Sequence, residues 1–163
     1  MGMRLAKTAL AGVTALAAAG GSAIGQTATQ VVNIRVDAVS QLSVSGNPAA
    51  LVVSAAIAGQ SPTNASASTT TYAISTNESN QKIVASLNQS MPAGTELEVT
   101  LAAPSGASSR GATALATAGA DVVTGISTIA SSALPITYRL SASVSASVTN
   151  TARTVTYTIV SGT

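Results

Sequence analysis

Two carboxylates lie two residues apart near the middle of the chain, at Glu96 and Glu98. Polar and apolar residues alternate from Thr95 to Leu101, which predicts a β-strand with both carboxylates on one face and their Cα atoms about 7 Å apart. Glycosidases use carboxylate pairs near that separation to cleave sugar bonds. The sequence offers almost no aromatic side chains to hold a sugar, and carboxylates are rarely buried. We therefore interpret the pair as part of an exposed strand face.

Two other groups contain residue types that are capable of chemistry. Lys82 beside a serine could form a Ser-Lys dyad, but it stands in an alternating apolar run that indicates an ordinary strand. The turn from Asn77 to Asn80 offers oxygen ligands and lacks the dense acidic spacing of a calcium loop. We predict no catalytic residue, no metal site and no cofactor. Asn-x-Ser/Thr sequons occur at Asn64, Asn77 and Asn88, and their glycosylation stays open.

The composition excludes most enzyme chemistry. The chain has 163 residues and contains neither His nor Cys. It therefore cannot build a Ser-His-Asp triad, a Cys-His dyad, an iron-sulfur site, a zinc site of the usual ligands or a disulfide. Charged residues make up 7% of the chain and aromatic residues 2%, which leaves few groups for proton transfer or ligand stacking. We predict that the protein is not an enzyme.

The charges give no electrostatic surface for nucleic acid. The whole chain carries a formal charge of +2, but Arg4 and Lys7 lie in the first residues. From Gln26 onward, five basic residues balance five acidic ones, so this part is neutral. Scattered, balanced charges do not attract DNA, RNA or an anionic membrane surface. We predict no nucleic-acid partner and no membrane insertion.

Residues 1–25 resemble a cleaved secretory signal peptide. Arg4 and Lys7 precede an uncharged apolar run from Thr8 to Ala19, and small residues follow at Ala23 and Gly25. The apolar run is shorter than the roughly 20 residues that a spanning helix needs. We predict a secreted protein that is extracellular or held at the cell surface.

After residue 25 the chain has the pattern of strands. Apolar residues recur every second position, turn signals separate the runs, and no stretch sustains a helical period. This predicts an all-β protein, with a single antiparallel β-sandwich domain over residues 26–163 that is Ig-like or jelly-roll-like and has about eight strands. The apolar pairs and triplets that mark these strands include Val32/Ile34/Val36, Leu42/Val44, Leu51/Val53, Tyr72/Ile74, Ile83/Ala85/Leu87, Leu97/Val99/Leu101, Leu134/Ile136/Tyr138 and Val155/Tyr157/Ile159.

The finer pattern predicts which side chains face inward. Tyr72, Tyr138 and Tyr157 are in phase with aliphatic neighbours, so we expect them to pack inside with each hydroxyl near a partner or the rim. The outward faces are predicted to be Ser/Thr ladders, which keep strands soluble without charge. Residues 111–120 are predicted as a loop, and Asp121 to Ile129 as a further strand whose register Gly125 breaks. The predicted ladders are Thr69/Thr71, Ser141/Ser143/Ser145/Ser147 and Thr154/Thr156/Thr158.

The stretch from Gln26 to Val39 has two interpretations. It alternates cleanly, begins at the predicted cleavage site and is separated from the next apolar pair by Ser40 and Gln41. It is therefore either the first strand of its own sandwich or a strand supplied to another subunit.

Taken together, these features resemble secreted fibre subunits of the donor-strand type. They are the signal peptide, the alternating Val32/Ile34/Val36, the Ala/Ser/Thr/Val-rich strands and the closing run from Arg153 to Val160. Chaperone-usher pilins and biofilm matrix fibre proteins belong to that type, although the chain lacks the cysteines typical of chaperone-usher pilins. The resemblance implies a donor strand whose residues fill a neighbour's groove: Val32, Ile34, Val36 and Ala38.

We therefore expect a structural subunit of a secreted extracellular filament or surface layer, with further copies of itself as its partner. The alternative is a monomeric secreted adhesin-like binding module. In that case the loops Gly59–Ala67 and Pro104–Gly111 would contact a glycan or a surface. Near-zero net charge agrees with self-association because it weakens repulsion between copies.

Overall fold

Residues 25–162 are described by the computed structural model, and every regular element in this range is a β-strand. The predicted signal peptide, residues 1–25, lies outside the described residues except for Gly25. The chain divides after Arg35 into two units. Residues 25–35 form no helix or strand and are all exposed. The β domain begins at Val36.

The described residues form nine strands, which confirms the all-β class and the antiparallel pairing. The first sheet has the order β1-β2-β8-β4-β6, and the second has the order β5-β7-β3-β9. Two of the strands, β5 and β6, have only two residues each. The strand bounds are β1 Ser40–Val44, β2 Ala65–Thr76, β3 Gln81–Leu87, β4 Thr95–Leu101, β5 Ser108–Ser109, β6 Thr113–Ala114, β7 Ala120–Ile126, β8 Ile129–Ala142 and β9 Val155–Ser161.

One apolar core takes side chains from both sheets in a sandwich-like arrangement. Alternate residues of β3 and β4 point into this core because side chains along a strand alternate between its faces. Burial of each large aliphatic side chain stabilises the fold by about 1.5–3 kcal/mol. The buried apolar residues of these two strands are Ile83, Ala85, Leu87, Leu97, Val99 and Leu101.

The tyrosines pack inward as predicted. Tyr72 and Tyr138 are buried, and Tyr157 is half-buried against the same core. The Tyr72 hydroxyl donates to the carbonyl oxygen of Ala102 at 2.6 Å, and the Tyr157 hydroxyl donates to the hydroxyl oxygen of Tyr138 at 2.8 Å. Partners of this kind are needed because a buried hydroxyl without one destabilises the fold.

A proline stands inside β8, which pairs with β2 on one side and β4 on the other. Pro135 has no N–H for a ladder, so proline within a sheet is confined to edges and bulges. The register shifts next to this proline. Tyr72 and Ile74 are two positions apart on β2, whereas their partners Leu134 and Ser131 are three positions apart on β8. The longer β8 stretch contains Ala133, which has a left-handed backbone conformation with φ of 56°. The bulge therefore lets a central strand contain a proline.

A second irregularity lies where Gly125 was predicted to break the register. Strand β7 has more residues than the part of β3 that it faces, and Gly125 has φ of 73°. A further shift, between Ile83 and Val84 of β3, leaves Val122 as an extra β7 residue, and Val122 and Val123 are both buried. The strand ends at Ile126, three residues before the predicted end.

Some predicted strand segments are not strands. Residues 45–64 include Leu51 and Val53 and form only an isolated bridge between Ala56 and Pro62. The predicted serine ladder stops at the end of β8, because Ser143 turns away and its hydroxyl bonds the carbonyl oxygen of Gly94 and the hydroxyl of Ser145. Such side-chain bonds compete with sheet ladders.

Candidate assembly site

The N-terminal segment, residues 26–39, exposes a row of aliphatic side chains. Val32, Ile34 and Val36 are 69%, 84% and 81% exposed, and Val31 is 87% exposed. The described segment contains no strand, and the first strand begins at Ser40. Large aliphatic side chains are usually buried, so this exposed set is the candidate assembly surface. The fourth residue of the predicted donor set, Ala38, is exposed as well.

One asparagine side chain holds the end of the N-terminal segment that enters the β domain. Asn77 Oδ1 accepts from the backbone N–H of Val39, and Asn77 Nδ2 donates to the carbonyl oxygen of Asp37, both at 2.8 Å. The backbone N–H of Asn77 also donates to the carbonyl oxygen of Val39 at 3.1 Å. The amide group therefore takes the place of a neighbouring strand for two residues. We call these contacts the Asn77 clamp.

Side chains next to the Asn77 clamp fix the start of β1. The Ser40 hydroxyl donates to Glu78 Oε2 at 2.7 Å and lies 2.9 Å from the Thr76 hydroxyl oxygen. Because Ser40 has one hydroxyl proton and gives it to the carboxylate, the Thr76 hydroxyl is the donor between the two alcohols. In sequence, this turn offers oxygen ligands but lacks the acidic spacing of a calcium loop. Its position just after a long alternating run was a signal for backbone capping, which Asn side chains favour.

Strand β9 forms an edge of the second sheet, next to β3. Its seven residues pair with β3 in one continuous register from Leu87↔Val155 to Gln81↔Ser161. Thr156 and Thr158 are exposed, as the predicted outward ladder requires, while Val155, Tyr157 and Ile159 are half-buried.

Asparagines fasten β9 at both ends. Asn88 Oδ1 accepts from the backbone N–H of Thr154 at 2.9 Å, just before the strand. After the strand, the N–H of Gly162 donates to the carbonyl oxygen of Asn80 at 2.6 Å. A Cβ atom on Gly162 would lie 2.7 Å from that oxygen, so glycine permits this close approach. Both ends of β9 are therefore held against its neighbour β3.

The tyrosine pair that joins β9 to β8 is held in its neutral form. Burial raises the pKa of Tyr157, and the hydrogen bond that it donates to Tyr138 raises it further. Burial also raises the pKa of Tyr138, and accepting the bond from Tyr157 partly offsets this. The neutral rings are therefore the favoured form where β9 meets the core.

The carboxylates considered as a catalytic pair have different surroundings. Arg139 Nη1 donates to Glu98 Oε2 at 2.7 Å, whereas Glu96 is an exposed side chain beside β8. In the orientation that satisfies both groups, the Asn64 amide oxygen accepts from Nη2 and Nε of Arg139, the latter at 3.2 Å. Lys82 lies 3.2 Å from Asp121 as an ion pair, so its ammonium group has a carboxylate partner. Glu98 and Lys82 therefore each have an oppositely charged side chain as a partner.

An open groove of about 460 Å³ lies between the loop that contains Ser61 and the ends of β4 and β8. Asn64, Glu96 and Ser143 are among its lining residues. The groove thus includes part of the predicted contact loop Gly59–Ala67. The other predicted loop, Pro104–Gly111, does not line it.

Within residues 25–162, no three or more acidic, His or Cys side chains lie together as a metal site would require. The same residues include no helix of the length and apolar character needed to cross a bilayer.

Comparison with known proteins gives no relative from which to carry over a function. No protein-family model matches the chain, and neither do the curated proteins or the solved structures. Functional inference therefore rests on the geometry described above.

Proposed function

We propose that the protein is the structural subunit of a secreted extracellular filament or surface layer, and that copies join when the N-terminal segment of one pairs as a β-strand with the next. The observation that carries this proposal is the exposed alternating row of Val32, Ile34 and Val36 in a segment without a strand. A strand supplied in trans contributes main-chain hydrogen bonds and fills alternate side-chain pockets.

The hydrophobic row supplies part of the free energy that association needs. Burying each of the three aliphatic side chains contributes about 1.5–3 kcal/mol, or about 5–9 kcal/mol for all three. Immobilising a second molecule opposes this with about 4–15 kcal/mol. The hydrophobic row alone therefore falls near balance, and the backbone hydrogen bonds of an added strand tip it toward assembly.

The β domain has features that agree with a building role. Two antiparallel sheets around one core suit an Ig-like or jelly-roll-like sandwich, which we propose as the finer fold. The part of the chain after residue 25 has no net charge, so identical copies repel one another weakly. We place the assembled protein outside the cell or at its surface, as the N-terminal sequence of residues 1–25 favours.

The decisive experiment compares two lysine substitutions at neighbouring positions. Ile34→Lys puts a charge on the row that we expect a neighbour to bury, while Asn33→Lys puts the same charge on the opposite face of the strand. Both positions are exposed in the single chain, so both variants should fold with unchanged thermal stability. We expect Ile34→Lys to abolish filaments and Asn33→Lys to leave them, as seen by negative-stain microscopy and sedimentation of the secreted protein.

Two results would contradict the proposal. One is a wild-type protein that stays monomeric at every concentration tested. The other is equal assembly by Ile34→Lys and Asn33→Lys, because a strand that enters a groove cannot accept a charge equally on both faces.

The open groove favours a second candidate, the monomeric adhesin-like module. Its polar lining near Ser61 and Asn64 would bind a glycan through hydroxyl and amide groups. In that case a glycan array should give binding that is lost when loop Gly59–Ala67 is exchanged and kept in Ile34→Lys. Binding together with a monomeric wild-type protein would favour the module over the filament.

A further inference from the structure

We propose that the edge of β9 receives the N-terminal segment of a second copy, which adds a fifth strand to the second sheet. This inference rests on the proposed function, since it names the acceptor for the strand that the filament requires. The occupant is the stretch from Val32 to Ala38 of another chain.

Length selects β9 among the sheet edges. In the described part of the chain the two sheets end in β1, β6, β5 and β9. Strands β5 and β6 have two residues each and β1 has five, whereas β9 has seven. The alternating stretch Val32–Ala38 is also seven residues long. β9 is therefore the edge on which the whole row can pair.

The chemistry of β9 leaves it open to pairing. Proteins usually protect an edge strand with lysine, proline or a bulge. β9 contains no charged residue and no proline, and its register with β3 has no bulge. Asn88 and Asn80 hold both ends of β9, so its backbone is tied to β3 along its whole length.

The core is incompletely covered along the same edge. Ile83, Ala85 and Leu87 on β3 are 0–4% exposed, but the facing inward residues Val155, Tyr157 and Ile159 on β9 are half-buried. A strand added beyond β9 would place aliphatic side chains next to these three. The second sheet, which has four strands against five in the first, would then match it in strand number.

Strand β1 is the competing edge, and it is less suitable. It offers five residues, and its own N-terminal end continues into residues that the Asn77 clamp holds. Residues 25–39 form no strand, so an incoming strand on β1 would meet only five strand residues. We therefore assign the acceptor to β9.

Disulfide trapping tests the assignment directly, because the chain has no Cys of its own. One full-length chain carries Asn33→Cys or Arg35→Cys, on the face opposite the aliphatic row. A second full-length chain carries Thr156→Cys or Thr158→Cys on β9. The matched control puts the cysteine at the exposed positions of β1, as Gln41→Cys or Ser43→Cys. The two chains are mixed, allowed to assemble and oxidised, and cross-linked dimers are measured on non-reducing gels.

We expect at least one β9 combination to cross-link roughly tenfold more than every β1 combination, because a disulfide forms only when the Cα atoms come within about 7 Å. The cross-link should disappear when the donor chain also carries Ile34→Lys. Cross-links through β1, or filaments that trap at neither edge, would overturn the acceptor while leaving the proposed function intact. A failure of the wild-type protein to form filaments would instead overturn the proposed function.

Discussion

Two stretches of the chain carry the same alternation of aliphatic residues and differ completely in burial. On β3, Ile83 and Ala85 have no exposed surface, while in the N-terminal segment Ile34 and Val36 are 84% and 81% exposed. The difference lies in their neighbours. β3 is flanked by β7 and β9, whereas the described N-terminal segment contains no strand. A period-two pattern alone therefore does not specify whether a face is buried within its own chain.

The largest expected effect separates the two stretches by stability. Ile83→Ala removes a fully buried side chain and should destabilise the fold by about 2–5 kcal/mol, since it loses apolar burial and leaves a cavity. Ile34→Ala should change the stability of the single chain by less than about 0.5 kcal/mol. Urea unfolding of the non-assembled protein measures both. Equal losses for the two variants would mean that Ile34 is covered within its own chain, and the comparison would fail.

Alkaline pH should weaken the covered core. Burial raises the pKa of Tyr72 to about 12, from about 10 in an unfolded chain. The neutral ring is thus favoured in the folded state, so the stabilisation is complete below pH 10 and is lost as the pH rises toward 12. That loss amounts to about 3 kcal/mol for two pH units.

Unfolding measured between pH 8 and 12 checks this effect. Tyr72→Phe should lower stability at neutral pH, because it removes the bond to Ala102, and should flatten the alkaline loss. A mutant with the same alkaline slope as the wild type would show that Tyr72 does not contribute to it.

The smallest expected effect is at the Asn77 clamp, just before β1. Asn77→Ala removes the side-chain bonds to Asp37 and Val39, and should cost about 1 kcal/mol. Hydrogen exchange at the Val39 amide should become faster, because its acceptor is lost.

Ser79→Ala is the matched control for Asn77→Ala, because it removes the sequon and keeps the Asn77 side chain. Faster exchange in both variants would indicate that a modification, and not the clamp, protects Val39. Unchanged exchange in Asn77→Ala would show that the clamp does not hold this residue.

Most of the β domain could be read from the sequence, because alternation is a local property. The runs around Ile83, Leu97 and Val155 are all strands, and the tyrosines face inward as their phase requires. The run at Leu51 and Val53 also alternates and is not a strand. The surrounding residues 45–64 form one isolated bridge, between Ala56 and Pro62, and pair with no strand. The partner of a strand is not encoded locally.

Only part of the candidate site could be predicted from the sequence. The aliphatic row of the N-terminal segment was visible as a pattern. The Asn77 clamp was not, because it joins residues about 40 positions apart. The position of β9 at a sheet edge could not be predicted either, since strand order is a property of the assembled sheets.

By itself the sequence determined an all-β chain with few charges, no His or Cys, and an alternating N-terminal segment. Each of these follows from residue type and from the two-residue period of a strand. The tertiary structure decided which alternating runs are buried, where the registers of β8 and β7 shift, and which strands lie at the sheet edges. The physical reason is that a single strand makes no backbone hydrogen bonds within itself. Its hydrogen bonds and its apolar face are completed by residues far away in the chain.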